Sequence, residues 1–139
     1  MVIAILYPVL AQIILTFALL IAMAWARQKA IRAPGFTFSD IALDSSRWPE
    51  DARKYSNCYS NQFELPVIFY VLCIVALMTA KADFLMVVLA WAFVVSRVVH
   101  ALQHTGANIV PRRGMAFAVG VLILMIMTAI LALRLLAAV

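Results

Sequence analysis

Residues 65–104 read LPVIFYVLCIVALMTAKADFLMVVLAWAFVVSRVVHALQH. Two apolar runs flank one short polar turn, Ala80-Lys81-Ala82-Asp83. A hydrophobic stretch of about 20 residues covers the ~30 Å of hydrocarbon in a bilayer. The second run, Phe84 to His104, meets that length alone. The first, Leu65 to Ala80, continues a polar stretch, Ala52 to Glu64, so this helix projects from the membrane before entering it. Four residues of turn make the pair an antiparallel hairpin.

Outward from this hairpin the pattern repeats. Val2 to Trp25 forms another apolar run, halted by the basic residues Arg27, Lys29 and Arg32 and by Pro34-Gly35. That run has no basic segment before it and is too long for a signal-peptide core, so it is read as a mature span. A loop from Ala33 to about Arg47 leads to Ser46-Arg47-Trp48-Pro49-Glu50-Asp51, a helix start with proline and two acids where free N–H groups and the dipole favour them. Pro111-Arg112-Arg113-Gly114 opens a last helix, apolar to about Leu136. The expectation is one domain, residues 1–139, all-α: an integral membrane four-helix bundle of up-down topology.

Composition agrees. The 139 residues are 67% hydrophobic and 12% charged, and the mean hydropathy is +1.05. A soluble domain of this size lies far from those values. The net charge of +5 builds no continuous basic face, which argues against nucleic acid. Its distribution sets orientation instead: six Lys/Arg lie between Arg27 and Lys54, only Lys81 in the second connection, and Arg112 and Arg113 in the third. The positive-inside rule puts the first and third connections in the cytoplasm and both termini outside. Cys58 and Cys73 are read as free thiols, having neither a disulfide framework nor metal-ligand spacing.

Ionisable groups inside a span are costly and point to function. Arg53, Asn57, Ser60, Asn61 and Glu64 recur at three- and four-residue spacing on the second helix, and Arg97, His100 and His104 do so on the third. Counted from the Lys81 turn at ~1.5 Å per residue, Glu64 and His100 lie roughly 25 Å up and Arg97 roughly 20 Å. A Glu64–Arg97 ion pair is therefore expected, each charge neutralising the other, with Arg112 and Arg113 entering from the same side. Such a set forms a polar pocket at the cytoplasmic boundary, suited to an anionic polar ligand beside an apolar one. Taken singly, each residue also fits a packing pair or an interfacial anchor. Histidines at i and i+4 share a face, as metal ligands can, but no cysteine or second carboxylate accompanies them, and no metal is assigned. Phe63, Phe69, Tyr70, Trp91 and Phe93 are read as packed or lipid-facing.

The segment Asn61-Gln62-Phe63-Glu64-Leu65-Pro66 resembles the second-helix signature of the MAPEG family. The stretch Arg97 to Gly106 followed by Pro111-Arg112-Arg113 is similar to that family's third helix and following loop. The resemblance covers essentially the whole chain and suggests a bacterial-type member. It implies a homotrimer in a bacterial inner membrane, in contact with lipid, binding glutathione and a lipophilic small molecule near the cytoplasmic face. It implies transferase or peroxidase activity on lipophilic electrophiles or hydroperoxides. By position it would assign Arg53, Asn57, Asn61, Glu64, Arg97, His100 and His104 to glutathione and Arg113 to stabilising its thiolate. Three positions depart from the family's eicosanoid enzymes: Asn57 replaces an arginine, His104 a tyrosine, and Phe117 lacks a hydroxyl. Two rivals remain open, a non-catalytic lipid-binding or scaffold protein with the same pocket and a small exporter with Glu64 as a proton-coupled carboxylate.

Overall fold

The computed structural model describes residues 2–42 and 44–137. Met1, Leu43, Ala138 and Val139, within the single domain expected from sequence, lie outside the described residues. Four helical stretches are long and apolar enough to cross a membrane: Ile3–Ile31, Glu50–Met78, Phe84–Thr105 and Val110–Leu136. No strand occurs among the described residues. The chain is an all-α integral membrane bundle.

Its α-helices are α1 (Leu6–Ile31), a single turn α2 (Phe38–Ile41), α3 (Glu50–Ser60), α4 (Leu65–Met78), α5 (Phe84–Thr105) and α6 (Val110–Leu136). Prolines mark three of these six starts. Pro66 and Pro111 lie in the first turns of α4 and α6, where a missing N–H costs nothing because that donor has no helical partner. Pro49 is the N-cap of α3, followed by Glu50 and Asp51 in the first turn. The loop expected from Ala33 to Arg47 holds α2 and a short 3₁₀ turn, Ser45–Arg47. The first helix runs through the basic cluster to Ile31 before it ends.

The second span is not one continuous helix. A 3₁₀ turn, Asn61–Phe63, separates α3 from α4, and Glu64 leaves helical geometry at φ −100°, ψ −100°. Pro66 supplies the cause, since its ring cannot accept the carbonyl of residue 62 and has no N–H to offer it. The break changes the neighbours of this span. Its N-terminal half, α3, packs on α1 and α5, whereas α4 packs mainly on α6 and only touches α5. Helices α5 and α6 make the most extensive contact in the bundle. Gly120 lets them close, because a Cβ there would meet Ser96 Oγ at 3.1 Å.

Apolar packing fills the end of the bundle near the Lys81 turn, around Ile5, Phe69, Met86, Phe93, Leu124 and Met127. Phe69 and Phe93 stack with centroids 4.6 Å apart, while Phe63 and Trp91 face outward. Many large apolar side chains, among them Ile14, Phe17, Ile21 and Leu102, are exposed on the outer surface. In lipid such a surface is solvated rather than penalised. Farther along, the interior turns polar: Gln12, Gln62, Arg97, His100 and His104 are all buried. Both cysteines are free and buried.

The turn between α4 and α5 carries its own clamp. Ala80 adopts a left-handed φ of 55°, and Lys81 N–H donates to Ala76 O at 2.8 Å, a Schellman closure made without glycine. Asp83 then caps α5, accepting from Met86 N–H at 3.0 Å, and its other oxygen takes Arg134 Nη2 at 2.6 Å. The Arg134 contact, followed by the cap, holds the Asp83 carboxyl below the usual carboxylate range. A depressed pKa means the stabilisation is present above the unfolded value, near 4, and is lost as pH falls through the folded one. The half-exposed pair limits the effect. Asp83→Asn, which keeps a capping oxygen, should cost less than ~1 kcal/mol, whereas Asp83→Ala should cost about 1–2 kcal/mol. Thermal melting of the two variants in detergent at neutral pH separates cap from ion pair, and equal losses would show the cap to be idle.

Candidate functional site

Where α3 meets α5 and the start of α6, an open cavity of about 340 Å³ is lined by Asn57, Asn61, His100, His104, Arg113, Gly114 and Phe117. Three local features produce it. The three- and four-residue spacings on α3 and α5 turn Asn57 and Asn61 toward His100 and His104. Pro111 starts α6 so that Arg113 falls in its first turn. Gly114 has no atom within 4 Å of where its Cβ would stand, leaving the wall beside Arg113 open. A smaller cavity of about 130 Å³, bordered by Glu50, Arg53, Lys54 and Asn108, shares Asn57, His104 and Arg113 with the first.

Hydrogen bonds fix the cavity wall. His100 Nδ1 lies 3.2 Å from the Arg113 carbonyl. A carbonyl can only accept, so Nδ1 carries the proton and donates. Asn61 Nδ2 approaches His104 Nδ1 at 3.4 Å, with the imidazole as acceptor. The two imidazoles meet edge to face at 5.5 Å. The Arg113 guanidinium donates to Asn108 Oδ1 at 2.8 Å. Arg97 is fully buried behind this wall, its Nη2 donating to Asn61 O at 3.2 Å and its guanidinium carbon 6.0 Å from the Phe117 ring centroid. Its Nε and Nη1, and His100 Nε2, are buried without a partner. These polar atoms, two Arg97 donors and the His100 Nε2 acceptor, are costly to leave unmet among the described residues of a lone protomer and are available to a ligand or a neighbouring chain.

The expected Glu64–Arg97 ion pair does not form. Among the described residues the ion pairs are Arg47–Asp44, Lys54–Glu50 and Arg134–Asp83. The break before α4 takes Glu64 out of helical register and leaves it exposed outside the cavity, while Arg97 turns to the Asn61 carbonyl at the break. Uninterrupted helical spacing placed Glu64 on the stripe with Asn57 and Asn61, and Pro66 spoils that extrapolation.

Of the eight residues singled out from sequence, Asn57, Asn61, His100, His104 and Arg113 line the cavity, Arg53 borders its smaller neighbour, Arg97 lies buried behind it, and Glu64 stands apart. A family model for the MAPEG family matches residues 5–133. The chain belongs to the MAPEG family. No curated protein and no solved structure matches it significantly. MAPEG proteins are generally glutathione-associated, and the family includes glutathione transferases and peroxidases among other members.

Two features of this MAPEG protein are absent from the sequence reading. One is Asn108, which anchors Arg113; an Asn preceding a Pro-Arg-Arg helix start was the available sign. The other is a fully buried amide pair, Gln12 Nε2 to Gln62 Oε1 at 2.9 Å, with Gln62 Nε2 continuing to Cys58 O at 2.9 Å. This pair ties α1 to the break in the second span. Glutamine inside an apolar run is the signal, since it needs a partner within lipid.

Proposed function

We propose that this MAPEG protein binds glutathione in the 340 Å³ cavity and presents its thiolate to a lipophilic electrophile or hydroperoxide. The observation that carries the reading is the Arg113 guanidinium, held at the cavity wall among neutral donors and acceptors, with no carboxylate among the described lining residues. A fixed cation in a partly dry site favours thiolate over thiol, and the thiolate is the nucleophile. Attack on an electrophile forms a carbon–sulfur bond and expels the leaving group with its electron pair. Attack on a hydroperoxide transfers one oxygen to sulfur and releases the alcohol once a proton is supplied; a second glutathione then reduces the sulfenic acid to disulfide and water.

Asn57, Asn61, His100 and His104 would bind and orient the peptide, Arg53 would attract its carboxylates, and Arg97 would hold Asn61 in place. Glu64, exposed and outside this cavity's lining, would serve a neighbouring subunit of a homotrimer. Assay of the purified protein with glutathione and either a lipophilic electrophile or a lipid hydroperoxide tests the reading: turnover supports it, and saturable lipid binding with no turnover would favour the non-catalytic alternative. Phe117, lacking a hydroxyl beside the cavity, is the feature on which that alternative rests.

Facing is part of the proposal, because glutathione is cytosolic. The six Lys/Arg of the first connection against the single Lys81 of the second support a cavity on the cytoplasmic side, and a bacterial inner membrane belongs to the same reading. A cysteine introduced beside Arg32 should label only from the cytoplasm and one replacing Lys81 only from outside. Cys58 and Cys73, both buried, keep the background low. The reverse labelling would put the cavity on the wrong side for cytosolic glutathione.

A further inference from the structure

Arg113 is pinned at both ends by residues of its own chain. Its carbonyl accepts from His100 Nδ1 at 3.2 Å, and its guanidinium donates through Nη1 to Asn108 Oδ1 at 2.8 Å. The second contact depends on an uncommon backbone state. Asn108 stands in the loop between α5 and α6 at φ 51°, in the left-handed region, and its N–H donates to Gln103 O at 2.9 Å. Asparagine is among the few side chains that adopt this conformation readily. A glycine would adopt it too, but would offer no side-chain oxygen, and an aspartate would offer an oxygen together with a full negative charge.

The location matters as much as the bond. Arg113 borders both cavities, and Asn108 borders only the smaller one. A long arginine side chain has many rotamers, and ordering it carries an entropic cost. Asn108 meets that cost before any ligand arrives, and as a neutral acceptor it leaves the guanidinium charge uncompensated. From this geometry we infer that Asn108 is the positioning residue that fixes the Arg113 guanidinium at the wall shared by the two cavities. The inference rests on the reading of Arg113 as the thiolate-stabilising group, but the placement of the guanidinium can be tested apart from it.

Two readouts on the full-length protein in detergent separate the claims. The first is the rate at which phenylglyoxal modifies Arg113 without glutathione, followed by mass spectrometry of the peptide carrying it. Asn108→Gly, which keeps the backbone state, should raise that rate about threefold or more, and Asn108→Asp should not raise it. The second is the pH profile of thiolate absorbance with glutathione bound. Both variants should shift it toward higher pH, by at least about half a unit, or threefold in thiolate at a given pH. In Asn108→Asp the cause is the new carboxylate, and in Asn108→Gly it is the released guanidinium. Unchanged melting temperature and oligomer size in Asn108→Gly exclude a folding effect. An Arg113 modification rate equal to that of the unsubstituted protein in Asn108→Gly overturns the positioning role. Absence of thiolate in the unsubstituted protein removes the proposed chemistry instead, and the modification rates then decide the positioning claim alone.

Discussion

Arg113→Ala should lower glutathione-dependent turnover at pH 7 by about tenfold to a hundredfold while leaving the fold intact. Free glutathione, with a thiol resembling that of cysteine near pKa 8.5, is only a few per cent thiolate at that pH. Each unit of depression represents ~1.4 kcal/mol of preference for the anion. A guanidinium in contact within a partly desolvated cavity can supply one or two such units, and arginine stays charged throughout the accessible range. Stability should hardly change, because the side chain lies in the first turn of α6 and its hydrogen-bond partner is a loop residue. Arg112, fully on the exposed side and absent from the cavity wall, is the control. Arg112→Ala should retain most activity. Equal losses from both substitutions would indicate a diffuse attraction of anions, and full activity in Arg113→Ala would contradict the enzymatic reading.

The second large effect concerns Arg97 and carries opposite signs for stability and function. A fully buried guanidinium with Nε and Nη1 unpaired has been taken out of water at a cost of several kcal/mol. One hydrogen bond to Asn61 O and a 6.0 Å approach to Phe117 return only part of it. Arg97→Met, similar in volume and apolar, should therefore hold or raise the melting temperature. Glutathione affinity should fall about tenfold or more, because Asn61 loses its anchor. Arg97→Ala opens a cavity as well and should destabilise by a few kcal/mol. With no direct Glu64 contact, Glu64→Ala should cost little, and its effect should add to that of Arg97→Ala within ~0.5 kcal/mol. A melting temperature far lower in Arg97→Met than in the unsubstituted protein would mean that the unmet donors are satisfied in the native assembly.

These contrasts show what a linear reading can reach. The four spans were legible because lipid demands long uninterrupted apolar runs, and because prolines and basic clusters mark their ends. Five of the eight residues singled out share one cavity because helical spacing alone puts Asn57 with Asn61 and His100 with His104, and Pro111 sets the register of Arg113. Glu64 lies outside that cavity because the second span is interrupted just before it. Gln12 and Gln62 are 50 residues apart, and no local periodicity pairs them. Asn108 depends on a left-handed loop conformation that its neighbours in sequence do not dictate.

Direct titration of the purified protein with glutathione at pH 7, following thiolate absorbance, tests the central claim most closely. The account predicts a saturable rise, with a large fraction of the bound glutathione ionised, and its loss in Arg113→Ala even when that variant is saturated with ligand. Bound glutathione that remains a thiol in the unsubstituted protein would contradict it.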